Sequence, residues 1–179
     1  IKNLVKENFK VSTFAGYSEK SDLEFFERNK VNHSNFNLIN NRINFFNDLF
    51  FIFRLRKRIR QTKPDIVLAY TIKPILYSSI ALIGTKIKFM PLITGLGFVF
   101  FGKSLFKKSL RNVVKLMFKI FLNRSSIIIF QNKDNLDYFS KNNIANEIEK
   151  IIIPGSGVNI NHYSFTNVPE FPIKFIMIS

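Results

Sequence analysis

Residues 64–74, PDIVLAYTIKP, are the stretch whose reading decides the fold. Ile66, Val67, Leu68 and Ala69 run without alternation, which predicts a parallel strand covered on both faces. That strand delivers Tyr70, Thr71 and Lys73 into a turn. The chain then continues as Pro74-Ile-Leu-Tyr-Ser-Ser-Ile-Ala-Leu, predicting a helix over 74–83 with proline in its first turn and Gly84 at its end. Strand, polar loop and helix start is where open α/β sheets receive ligands, outside the carboxyl ends of their strands.

The same order repeats outward from this unit. Before it, 44–62 reads as a long helix, apolar at Phe45, Leu49, Ile52 and Ile59, with arginines and Lys57 crowded into its last turns, where cations suit the helix dipole. After it, 88–94 reads as a strand leading into Thr94-Gly-Leu-Gly-Phe. Residues 105–123 form a two-faced helix. Leu110, Val113, Val114, Met117 and Phe121 make its apolar stripe, and Lys107, Arg111, Lys115 and Lys119 recur on another face. A strand over 127–130 ends in Gln131-Asn132, a short helix covers 134–141, a strand covers 148–153, and Pro154-Gly-Ser-Gly-Val-Asn makes a tight turn. Toward the amino end, 1–8 reads as helix, 9–14 as strand, 21–29 as helix and 36–39 as a third short strand; 173–178 starts a further one. Strands alternating with helices predict a Rossmann-like α/β fold, a parallel sheet with helices on both faces. The boundaries expected are one domain over 1–168 and a linker with the first strand of another over 169–179. The chain reads as beginning and ending in mid-unit.

Composition narrows the chemistry. At 179 residues and 46% hydrophobic the chain supports a real core. It has no cysteine, which excludes a disulfide framework and a thiolate metal site, and its two histidines are too few for a histidine cluster. His33 and His162 read as ordinary surface or linker residues. The longest uncharged apolar run, 89–102, is short of the roughly 20 residues that span a bilayer. A net charge of +15 calls for an anionic partner: nucleic acid, lipid headgroups or a phosphorylated substrate. The nucleic-acid reading has no motif behind it, and the aromatics sit in apolar helix runs rather than among cations on strands.

Taken in register, PDIVLAYTIKPILYSSIAL, PLITGLGFVF, IIIFQNKDNLDYF and IIIPGSGVN resemble the amino-terminal, acceptor-side domain of family 4 glycosyltransferases of the GT-B fold. The likeness is to the bacterial type that builds capsule, O-antigen or lipid-linked oligosaccharides, on the inner face of the cytoplasmic membrane. It implies retaining transfer of a sugar from a nucleotide donor, UDP-linked, to an acceptor often carried on polyprenyl diphosphate, with no metal or other cofactor. By the same resemblance, the cleft-facing candidates are Thr71, Lys73, Thr94, Gly95, Gly97, Gln131, Asn132, Gly155, Ser156 and Gly157. The catalytic residues stay unassigned. The family's first strand and its glycine-rich turn would lie before Ile1. A donor-binding domain with paired glutamates would begin at 175–179, so this chain alone is not expected to catalyse. Many relatives carry a histidine where this loop offers Thr71 and Lys73.

Each candidate has a plainer alternative. Lys73 is either a cation near a substrate phosphate or a solvated loop lysine. Gly95 and Gly97 either admit close backbone approach or make a turn, and the Thr-Gly-Leu-Gly run lacks the third glycine of a dinucleotide fingerprint. Gly155 and Gly157 most simply turn the chain. Arg54, Arg58, Lys107, Arg111, Lys115 and Lys119 are candidates for contact with an anionic membrane, against the alternative of solvated helix faces.

Overall fold

The computed structural model describes residues 1–16, 19–36, 45–96, 104–158, 160–161 and 165. In chain order the elements are α1 (Lys2–Lys6), β1 (Ser12–Ala15), α2 (Lys20–Arg28), β2 (Asn32–Asn35), α3 (Phe45–Thr62), β3 (Ile66–Tyr70), α4 (Ile72–Ala81), β4 (Lys88–Ile93), α5 (Leu105–Phe121), a single 3-10 turn (Leu122–Arg124), β5 (Ile128–Phe130), α6 (Lys133–Lys141) and β6 (Lys150–Ile152). Every strand pairing is parallel. The α/β class and the Rossmann-like alternation therefore stand. The strand expected at 173–178 and the linker over 169–179 lie outside the described residues, as do 37–39 of the strand expected over 36–39.

Two features differ from the sequence reading. First, the sheet comes in two pieces: β1 pairs only with β2, while β3, β4, β5 and β6 form a four-stranded sheet in sequence order. An aromatic chain joins the smaller piece to the larger. Phe14, Phe36, Phe51 and Tyr77 meet in succession with ring centroids 5.6 Å apart at each step. Second, β3 is not covered on both faces. It lies at the end of its sheet, and Ile66, Leu68 and Tyr70, which alternate onto one face, are 47%, 40% and 52% exposed. An apolar run without alternation distinguishes a buried strand only when both faces have a layer to meet; among the described residues, this face of β3 has none.

The other face carries the core. Ala69, Phe89, Ile93, Ile128 and Phe130 from the strands meet Leu55 and Ile59 of α3, Ile75 and Leu76 of α4, and Val114 and Phe118 of α5. Residues Ile75, Leu76, Tyr77, Ser78 and Ser79 are all buried, so α4 is enclosed all round. That is the environment its nearly uniform apolarity requires. Both α3 and α5 pack on it. The helix α4 also starts earlier than expected, at Ile72, so Pro74 is its third residue. The position is compatible because the first four helical N–H groups lack intrahelical acceptors anyway. At its other end Arg56 of α3 donates from Nη1 to the carbonyls of Ala81 and Ile83, at 2.7 and 2.8 Å, capping the final turn.

In α5, Val114, Phe118 and the half-buried Leu110 and Met117 face inward, but Val113 does not: it points outward and is exposed. The expected stripe was drawn too wide by that residue. Strand β2 is Asn-His-Ser-Asn, with no apolar pattern to announce it. His33 is a strand residue, not a surface or linker one, with Nδ1 2.9 Å from the Thr13 hydroxyl and its ring stacked on Phe26. Among the described residues no helix is long and apolar enough to cross a membrane.

Candidate functional site

Parallel strands send all their carboxyl ends to one edge, and that edge collects most of the cleft-facing candidates. Tyr70 ends β3 beside Leu92 of β4, Ile93 lies beside Phe130 of β5, and Phe130 beside Ile152 of β6. Thr71, Thr94, Gln131 and the turn after Ile153 follow directly from these ends. Gly97 and His162 lie outside the described residues.

Two of the candidates touch. Gln131 donates from Nε2 to the Ser156 hydroxyl at 3.0 Å, tying the tip of β5 to the turn beyond β6. Gln131 is held by its own backbone, whose N–H donates to the Ile93 carbonyl at 3.2 Å and so extends the β4–β5 ladder by one residue. Gly155 and Gly157 have φ of 67° and 72°, in the left-handed region where a side chain is strained, so this turn needs glycine for its shape. Gly95 differs: its φ is not positive, and nothing lies within 4 Å of where a Cβ would sit. Neither crowding nor backbone strain requires glycine there. Asn132 has a structural duty, since its Oδ1 accepts from the Asn135 N–H at 2.9 Å and caps α6.

Thr71 is the backbone outlier of the edge. It is the N-cap of α4, with φ 64° and ψ 164°, a region occupied almost only by glycine. Its side chain makes no capping bond, while its carbonyl accepts the first helical bond, from the Ile75 N–H at 3.1 Å. A β-branched residue held there stores about 1–3 kcal/mol. Thr71→Gly should therefore stabilise the fold by about 1 kcal/mol, once glycine's greater freedom in the unfolded chain is set against the relieved strain. A urea unfolding midpoint checks this; a lower midpoint would mean that contacts of the threonine side chain outweigh the strain.

Lys73 is not a loop cation. It lies in the first turn of α4, and its Nζ is 3.5 Å from Oδ1 of Asp48 on α3, with both side chains less than one-fifth exposed, at 18% and 19%. Tyr77, one helical turn after Lys73 and so on the same face, also hydrogen-bonds Asp48. Burial first, and then the bond to Asp48 and its negative charge, push the Tyr77 phenol far above its ordinary range, which keeps it a neutral donor. The three residues bind α3 to the first turn of α4, directly behind the tip of β3. Sequence reasoning singled out Lys73 but missed Asp48 and Tyr77. The i, i+4 spacing of Lys73 and Tyr77 was the available signal, though the spacing does not name a partner on another helix.

The basic helix candidates divide. Arg54 is exposed, with its guanidinium 5.1 Å from the Phe36 ring centroid and 5.8 Å from that of Phe50. Arg58 turns inward and donates to Oδ1 of Asn32 at 3.1 Å. Arg111 is half-buried and acts electrostatically on Tyr138, whose phenol burial pushes up and the arginine partly draws back. Lys107, Lys115 and Lys119 are half-buried. Among the described residues no three His, Asp or Glu side chains come together as a metal-binding group.

The family model described as glycosyl transferase 4-like matches residues 2–132. No curated protein matches the chain. The match runs from α1 to the Asn132 cap of α6, through most of the candidate edge and across well over half of the sequence. The chain belongs to the glycosyl transferase 4-like family.

Proposed function

We propose that the chain is the acceptor-side part of a retaining glycosyltransferase that moves a sugar from a UDP-linked donor to a saccharide carried on polyprenyl diphosphate. The product belongs to surface polysaccharide synthesis at an anionic membrane. In this reaction the bond from the anomeric carbon to the diphosphate oxygen breaks and a bond to an acceptor hydroxyl oxygen forms on the same face of the sugar. The hydroxyl proton leaves with the diphosphate. The observation that carries the reading is the Gln131–Ser156 hydrogen bond. It joins two strand-end loops into one polar rim, next to a left-handed turn whose glycines leave the backbone uncovered. Amide and hydroxyl groups of this kind suit the hydroxyls of a saccharide, and the surrounding excess of cations suits its diphosphate.

Lys73 serves this site from behind. Its ion pair with Asp48 fixes the helix that begins at the rim, and the reading does not need it as a phosphate ligand. Donor binding and the catalytic groups belong to a further domain, so the chain alone binds acceptor without turning it over.

The test is a binding experiment by NMR on the labelled chain. A short-chain polyprenyl-diphosphate saccharide should shift resonances of Gln131, Ser156 and Thr94, and Gln131→Ala should weaken that binding about tenfold, the loss of one or two hydrogen bonds. UDP-sugars alone should leave the spectrum unchanged. Failure to bind any diphosphate-linked saccharide, or tight binding of a UDP-sugar by the isolated chain, would overturn the reading.

A further inference from the structure

We infer that α5 is a membrane-docking helix that inserts an outward row of apolar side chains into an anionic bilayer, rather than touching it through its lysines alone. An α-helix facing one core needs an apolar stripe a little over 100° wide. The apolar side chains of α5 sweep roughly 220° of its circumference at 3.6 residues per turn. The inward part of that arc is accounted for by Val114, Phe118 and their neighbours in the core. The remainder is Val113, Leu116 and Ile120, spaced as one helical row and 50%, 57% and 56% exposed. Lys108, Lys115 and Lys119 run along one flank of this row. The helix sequence, LFKKSLRNVVKLMFKIF, contains no acidic residue.

An exposed apolar row has no reason to be bordered by cations and free of acids unless what covers it is apolar inside and anionic at its surface. A bilayer with acidic headgroups has that profile: the row enters the acyl boundary and the flanking ammonium groups remain among the phosphates. A second row supports the same orientation. On α3, Phe46, Phe50 and Phe53 are exposed, and Arg54, Lys57 and Arg60 follow on the same helix. Since α3 and α5 both pack on the enclosed α4, these rows border the same side of the sheet. Nucleic acid would match the charge and leave the apolar rows in water.

The inference deepens the membrane side of the proposed function and rests on that reading for its purpose, but its test contains no sugar. The chain has no tryptophan, so Leu116→Trp places a single indole in the row. With vesicles of phosphatidylcholine and phosphatidylglycerol its emission should shift to the blue and be quenched by brominated acyl chains, while phosphatidylcholine alone gives little change. The double variant Leu116→Ser with Ile120→Ser should bind the mixed vesicles at least about tenfold more weakly, from the loss of two buried aliphatic groups. Because both side chains are exposed, its thermal unfolding should match that of the parent chain. Binding that salt abolishes completely with no indole shift, or full-strength binding by the double variant, would overturn insertion. Capture by DNA with no vesicle binding would do the same. A chain that inserts but binds no diphosphate-linked saccharide retains the docking helix and loses the transferase reading; the converse result separates them the other way.

Discussion

Phe139→Ala should cost about 3–5 kcal/mol of folding stability, the usual penalty for emptying a fully buried aromatic position. Phe139 is wholly buried on α6, and its ring meets Phe118 of α5 at 5.4 Å and Phe130 of β5 at 5.0 Å, the latter edge to face. It is therefore where the sheet, the outward-facing docking helix and the helix capped by Asn132 are joined. Removing the ring leaves a cavity between three elements, none of which can close it without moving away from another. Against a total stability of roughly 5–15 kcal/mol for a domain, such a loss leaves a small margin. Calorimetry should show a fall of roughly 10 °C in the unfolding temperature, and Phe139→Leu, which keeps most of the volume, should recover more than half of it. An alanine variant that unfolds within a degree or two of the parent would show that the three rings do not form one packed unit.

Asp48→Ala should be the most damaging single change at the rim, costing about 2–3 kcal/mol. It strands the Lys73 ammonium and leaves the Tyr77 hydroxyl without its acceptor, both in a largely buried setting. The figure lies below that for a fully buried ion pair because water still reaches about a fifth of each charged side chain. Asp48→Asn keeps an acceptor for Tyr77 and should cost about half as much. Paired with Lys73→Met, the asparagine change should be markedly less than additive, the signature of coupled partners in a double-mutant cycle. The cluster also has an alkaline signature. Unfolded tyrosine ionises near pH 10 while folded Tyr77 keeps its proton, so its contribution is whole below about pH 10 and declines as the pH rises further, by at most about 1.4 kcal/mol per pH unit. Urea titrations of the parent chain and Tyr77→Phe on either side of that pH should diverge in this sense. Additive changes at Asp48 and Lys73 would mean that the ion pair contributes nothing to joining α3 and α4.

How much of this was legible depended on whether the deciding interaction lay within one element or between two. Periodicity placed α3, α4, α5 and the strands 66–70, 88–93 and 128–130, since each carries its own apolar pattern. The carboxyl-edge placement of Thr71, Thr94 and Gln131 followed from the parallel order alone. Strand β2 was invisible because Asn32, His33, Ser34 and Asn35 owe their extended form to pairing with β1. The same limit applied to Lys73, whose charge looks available until Asp48 approaches from another helix, and to Arg58, which reaches across to Asn32. The outward turn of Val113 could not be read from a helical wheel. Apolar residues at adjacent positions widen the stripe without marking which edge the core will use.

The open face of β3 has a colloidal consequence. Ile66, Leu68 and Tyr70 lie on a strand that pairs only with β4 among the described residues, leaving its second backbone edge available as a template for another chain. The solubility of the isolated chain is then set at the strand that organises its fold, not at its basic helices. Mutual repulsion from a charge of +15 keeps such edges apart in dilute buffer. At physiological ionic strength that repulsion reaches only about 8 Å, so salt, which loosens most charge-driven association, works here in the opposite direction and lets molecules meet edge to edge.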